Sequence, residues 1–200
     1  MSEMRVSVIP VARMDVEEVE EAANRVARVL GSPILLREAA PVPRGTENFE
    51  RRQHDASGFL ADLRGKMAPL RVTKVIGGDD SAANVPMSSM NATVFVTDLD
   101  LYTEKSDGVF AYLSPKFKVG VVSVRRLKEA FHRRKADPSK QRTRLMKEML
   151  RVIARVSGMP KCANPACPIS PSKVLPDVDS KEERYCQPCW TRMSTGVSRI

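Results

Sequence analysis

Histidine is nearly absent from the sequence: His54 and His132 are the only two in 200 residues. A site that needs three imidazoles cannot be built from them. Aromatic residues are sparse too, at 5%. No apolar run approaches the length that crosses a bilayer, and the N-terminal "MSEMRVSVIPVARMDVEEVEEA" is too interrupted to be the apolar core of a secretion signal. These absences exclude a membrane-spanning reading and place the chain in the cytoplasm, where thiols stay reduced. There, paired cysteines hold metal more often than they form disulfides. Serine-nucleophile motifs, glycine-rich phosphate loops and dinucleotide fingerprints are missing, as are internal repeats and low-complexity tails.

What is present suits a soluble domain. Apolar residues make up 42% and charged residues 28% of the chain, enough for a sizeable core in one large domain or one domain with a small appendage. The net charge is +9 and unevenly spread. From Arg125 to Arg155 there are twelve Lys or Arg against Glu129, Asp137 and Glu148, a surplus equal to that of the whole chain. One continuous patch of this kind would bind nucleic acid with strong salt dependence. Against that reading, Phe131 is the only aromatic in the run.

The alternation of Val6, Val8 and Val11 predicts a half-buried strand. A helix follows: Asp15 and Glu18 have capping-box spacing, and Val16, Val19, Ala23, Val26, Ala27 and Leu30 recur at helical intervals up to Gly31-Ser32-Pro33. "ILLREA" completes a β-α-β unit with a parallel strand pair. "PVPRGTENFE" reads as loop, and "RRQHDASGFLADLRGKM" as a helix carrying Phe59, Leu60 and Leu63. "RVTKVIG" and "ATVFVTDLDL" read as buried strands flanking a polar insertion at 77–91. "GVFAYLSPKFKVGVVSVRRL" predicts two strands, antiparallel about a turn at Ser114-Pro115. Two helices are then expected, "RRLKEAFHRRK" and "SKQRTRLMKEMLRVIARVSG", the second burying Leu145, Met149, Val152, Ile153 and Val156. His54 and His132 lie in charged sequence and are expected to be solvated. Asp98 and Asp100 are expected to organise a turn at a strand end.

The four cysteines form a pattern. Cys162 and Cys167 are spaced C-x4-C, eighteen residues intervene, and Cys186 and Cys189 follow as C-x2-C. Tetrahedral zinc takes four thiolates, with each short loop placing two sulfurs and the longer loop returning the second pair. The spacing predicts a zinc knuckle that needs metal to be ordered.

Read back from Cys162, "RVIARVSGMPKC" resembles the archaemetzincin family, zinc peptidases of the metzincin clan. Their pattern is H-E-x-x-H-x-x-G-x-x-H-C-x4-C-x-M, followed after a loop by C-x-x-C. Gly158 and all four cysteines match. "RRQHDAS", "VTDLDLY", "VGVVSVRRL" and "LMKEM" are similar to family stretches in the same order, so the likeness covers nearly the whole chain apart from 77–91. In this alignment Arg151, Arg155 and Lys161 stand where the three zinc-binding histidines belong, Val152 where the general-base glutamate belongs, and Ile169 in place of the Met-turn methionine.

The resemblance implies a mixed, mainly parallel α/β sheet with an antiparallel edge strand, flanked by helices. It divides the chain into a metzincin-like domain, 1–158, which includes the former active-site helix near 139–157, and a zinc knuckle, 159–200, packed on it. A catalytic zinc needs neutral imidazoles and a carboxylate base, whereas a guanidinium has no lone pair to offer. The expectation is one structural Zn2+, no catalytic Zn2+, and no peptidase activity. Arg151, Arg155 and Lys161 would form an anion site for an acidic peptide or phosphate, or else an ordinary solvated basic face. The alternatives are a metallopeptidase with non-standard ligands, and a basic nucleic-acid-binding protein.

Overall fold

A computed structural model describes residues 4–12, 14–79 and 85–195; residues 80–84 of the expected insertion lie outside this set. The chain opens with β1 (Val6–Pro10), α1 (Val16–Leu30) and β2 (Ile34–Arg37). A small hairpin of β3 (Glu47–Asn48) and β4 (Gln53–Asp55) leads into α2 (Ala56–Lys66) and β5 (Val72–Ile76). Then come β6 (Ala92–Thr97), β7 (Leu101–Tyr102), β8 (Ala111–Ser114) and β9 (Val119–Ser123). Three helices complete the order: α3 (Pro138–Val156), α4 (Leu175–Asp179) and α5 (Gln187–Ser194).

The local reasons are those of the sequence. Asp15 caps α1 by accepting from the N–H groups of Glu17 and Glu18 at 3.0 and 3.3 Å, and Gly31 ends it in the left-handed region at φ 61°. Glu18 does not close a capping box; its carboxylate takes a hydrogen bond from Gln141 of α3 instead.

Six strands form one sheet in the order β5-β2-β1-β6-β9-β8. β1, β2, β6 and β9 run parallel, while β5 and β8 close the two edges antiparallel to their neighbours. The β-α-β unit and the Ser114-Pro115 turn, a short 3-10 segment, stand as expected. Val6, Val8, Val94 and Val122 pack with α1 and α3 on one face. Ile9, Phe95, Val119 and Val121 pack with Phe59, Leu60 and Leu63 of α2 on the other. Each fully buried aliphatic or aromatic side chain here contributes about 1.5–3 kcal/mol.

Four further expectations are corrected. β1 is buried along its whole length, because it is central and covered on both faces. β5 is a half-exposed edge strand. "RRLKEAFHRRK" forms two 3-10 turns, Arg125–Leu127 and Glu129–His132, broken at the extended residue Lys128. Its burial pattern shows why: only Leu127 and Glu129 turn inward, too few for a helix to pack on. The helix expected through "RRQHDAS" begins at Ala56, where Asp55 caps it by accepting from Gly58 N–H at 2.7 Å.

Candidate metal centre and the helix beside it

α3 begins with Asp137 accepting from Lys140 N–H at 2.9 Å and with Pro138 in its first turn. It ends at Val156, and Gly158, at φ 100°, turns the chain back. That reversal delivers Cys162. Cys167 follows a turn in which its N–H bonds to the Asn164 carbonyl at 3.1 Å. Cys186 is the N-cap of α5, one turn before Cys189 and Trp190.

The four sulfurs lie within 4.8 Å of one another. Thiolates about 2.3 Å from a tetrahedral zinc stand about 3.8 Å apart, and Cys162 Sγ and Cys186 Sγ are separated by 3.8 Å. Burial pushes the Cys167 and Cys189 thiols up, and the neighbouring sulfurs add to it. At Cys186 burial is outweighed by the Cys189 N–H and the other thiols, which hold the group below its ordinary value. Crowded sulfurs of this kind give up their protons to a divalent cation. The residues therefore fit zinc. Among the described residues they form the only group of three or more His, Cys, Asp or Glu side chains placed to hold one ion.

The eighteen-residue loop between the cysteine pairs is fastened to α3. Arg144, 1% exposed, donates to both Asp179 oxygens at 2.6 and 2.7 Å and to Glu129 at 2.6 Å. Lys147 Nζ donates to the carbonyls of Val178 and Asp179 at 3.3 and 3.1 Å. Tyr185 Oη donates to the Leu150 carbonyl at 2.8 Å. Glu148 is fully buried: its Oε1 accepts from Ser172 Oγ at 2.6 Å and lies 3.5 Å from Lys181 Nζ. Lys181 also donates to the carbonyls of Pro168 and Ser170, acceptors that suit an ammonium. Burial alone would raise the Glu148 carboxyl, but Arg151 first and Lys181 next hold it below its ordinary value.

Arg151 donates to Glu148 Oε2 through Nε and an Nη, at 2.7 and 2.6 Å. Arg155 donates to the Met159 carbonyl. Burial, then the charge of Arg151, lowers its pKa. Lys161 is exposed past the turn, with no hydrogen bond or ion pair to either arginine among the described residues. Val152 is wholly buried, and a Cβ on Gly120 of β9 would stand 2.4 Å from its Cγ1. α3 thus lies directly against β9, the strand next to the sheet edge.

The histidines are not solvated helical residues. His54, 8% exposed, sits in β4 with Nδ1 3.0 Å from Thr46 Oγ1, and burial lowers its pKa. His132 is half-buried with Nε2 2.9 Å from the Arg126 carbonyl. Asp100 binds Arg126 through both oxygens and Asp98 pairs with Lys128, so both organise the turn after β6 as expected. The basic run is not one patch: Lys140, Arg142, Arg144 and Arg151 all pair with acids of the fold. Ser172 and Lys181 carried no motif; only their distant partner Glu148 gives them meaning.

The model of peptidase family M54 matches residues 35–195. The chain belongs to this family, the archaemetzincins. It is 24% identical over 190 residues to the archaemetzincin of Saccharolobus solfataricus, covering 94% of this chain and 92% of that one. The archaemetzincin of Pyrococcus furiosus is 30% identical over 108 residues, 54% of this chain and 56% of its own. Among solved structures, a zinc-dependent peptidase from Methanocorpusculum labreanum superposes with a TM-score of 0.79 at 25% identity, over 94% of this chain and 99% of that one. The archaemetzincin of Methanopyrus kandleri shares the fold at a TM-score of 0.72 and 23% identity, over 99% of this chain and 97% of its own.

Proposed function

We propose that this archaemetzincin is a zinc protein without peptidase chemistry. It holds one structural zinc on Cys162, Cys167, Cys186 and Cys189, and it uses the old cleft to bind an anion, an acidic peptide above all. One observation carries the reading. At adjacent positions of α3, where the family pattern has a zinc-binding histidine and the general base, stand a guanidinium bonded to buried Glu148 and a valine sealed against Gly120.

Neither can do the catalytic work. Arg151 has no lone pair for a cation, and its N–H donors are directed at a carboxylate. Val152 can neither take nor give a proton, and its place under the sheet leaves no room for the water a base would activate. Arg155 and Lys161 stand at the other two histidine positions. Arg155 donates to a carbonyl and has no carboxylate partner among the described residues, so together with exposed Lys161 it is free to meet an anion. A peptide would lie along the outer edge of β8, which ends the sheet.

Incubation with unfolded and acidic peptides in the presence of zinc is expected to give no cleavage. Calorimetric titration with the same acidic peptides is expected to give binding heat that Arg155→Ala reduces. Cleavage that a chelator abolishes would overturn the first part of the proposal, and heat unchanged in Arg155→Ala the second.

A further inference from the structure

Aromatic side chains are few and distant in sequence, yet the fold brings two of them to one surface, each beside a guanidinium. Arg51, just after the strand β3, has Cζ 5.1 Å from the centre of the Tyr102 ring at the end of β7. Arg126, in the first 3-10 turn after β9, has Cζ 5.1 Å from the Phe131 ring. The two arginines meet at one residue: Arg51 donates to Asp107 Oδ1 at 2.9 Å, and Arg126 donates to the Asp107 carbonyl at 2.8 Å. Asp100 fixes Arg126 with two more bonds, at 2.6 and 2.9 Å. Gly108 permits the approach, since a Cβ there would stand 1.9 Å from Arg126 Cζ. His132 steadies Phe131 edge-on at 5.2 Å, and Phe131 is still 40% exposed.

The charge around these rings differs from that of the rest of the basic run. Asp100 and Asp107 neutralise Arg126 and Arg51, which therefore hold the rings rather than supply field. Arg125, Arg133 and Lys135, in or just after the two turns that carry Arg126 and Phe131, are exposed and have no ion pair among the described residues. Three uncompensated cations of the segment thus flank the turn that presents the aromatic, apart from Lys147 and Arg155 on α3, which bond carbonyls.

We propose that this surface binds single-stranded nucleic acid, with bases stacked on Phe131 and Tyr102 and phosphates on Arg125, Arg133 and Lys135. The chemistry selects that partner. Partly exposed rings, each with a guanidinium over one face only, beside uncompensated cations match a strand whose bases are unstacked and whose charge repeats along a backbone. A duplex hides its base faces, and an acidic peptide has none. Exposed Asp107 opposes phosphate and keeps the affinity modest.

Fluorescence anisotropy of the full chain with short labelled oligo(U) and oligo(dT), a duplex of equal length and poly-glutamate as competitor tests this. Single strands are expected to bind at low salt and more tightly than the duplex. With three phosphates contacted, a tenfold rise in salt is expected to weaken binding about a hundredfold. Phe131→Ala is expected to cost about tenfold with unchanged thermal unfolding, and the Arg125→Glu, Arg133→Glu double variant to abolish binding. No binding at low salt, a duplex bound as tightly as a single strand, displacement by poly-glutamate at equal charge, or an unaffected Phe131→Ala variant would each overturn the proposal.

Discussion

At the scale of single residues the decisive group is Glu148. It is buried between Arg151 of its own helix and Lys181 of the cysteine-flanked loop. Removing one member of a buried charge cluster strands the others, which typically costs about 3–5 kcal/mol. Lys181→Met is therefore expected to destabilise the chain by about that much in urea unfolding, and a Glu148→Gln, Lys181→Met double variant by less than the sum of its parts. Additive losses would mean the two groups do not interact. His54 gives a separate pH signature. Its folded pKa lies below the ordinary 6.5, so the unfolded chain binds the proton first. Stability is expected to fall as pH drops below about 6.5 and to stop falling on this account once the folded pKa is passed. His54→Gln should flatten that window in unfolding curves taken at successive pH values; an unchanged slope would assign it to another group. The carboxylates Glu129, Glu148 and Asp179, all held below their ordinary values by arginine and lysine neighbours, add losses only at lower pH.

At the scale of elements, α3 has two jobs. Its apolar stripe seals one face of the sheet, and its polar side holds α4 and the loop between the cysteine pairs. A zinc on the four cysteines would join the ends of that loop, while Arg144, Lys147, Glu148 and Leu150 hold the residues between. Metal removal is therefore expected to speed amide exchange around Cys162 to Cys167 and in α5, while the interior of α3 stays protected by the sheet. Equal loss of protection in both would show that the helix depends on the metal as well. This layout explains what the sequence revealed. Periodicity and capping located α1 and α3, and the cysteine spacing located the metal site, because both are local patterns. The strand character of Gln53–Asp55, the collapse of "RRLKEAFHRRK" into 3-10 turns and the burial of His54 were hidden, because tertiary partners decide them. The same is true of Glu148 and Lys181, thirty-three positions apart, and of Arg51, Tyr102, Arg126 and Phe131, which only the fold brings to one surface.

At the scale of the whole molecule, the fold shared with the archaemetzincins carries a four-cysteine centre that fits zinc beside α3, the helix that holds Arg151 and Arg155. The stability of the fold rests on two apolar layers about the sheet and on the polar fastening of α3 to the loop between the cysteine pairs. The net charge of +9 belongs to scale rather than to one site, since much of the basic run pairs internally. Elemental analysis of zinc in the purified protein, alongside a Cys186→Ser variant, decides between a single four-cysteine metal centre and a second one. One zinc per chain is expected, lost in the variant together with the order of the C-terminal segment. Two zincs, one of them retained by Cys186→Ser, would contradict this and require proteolysis to be tested again.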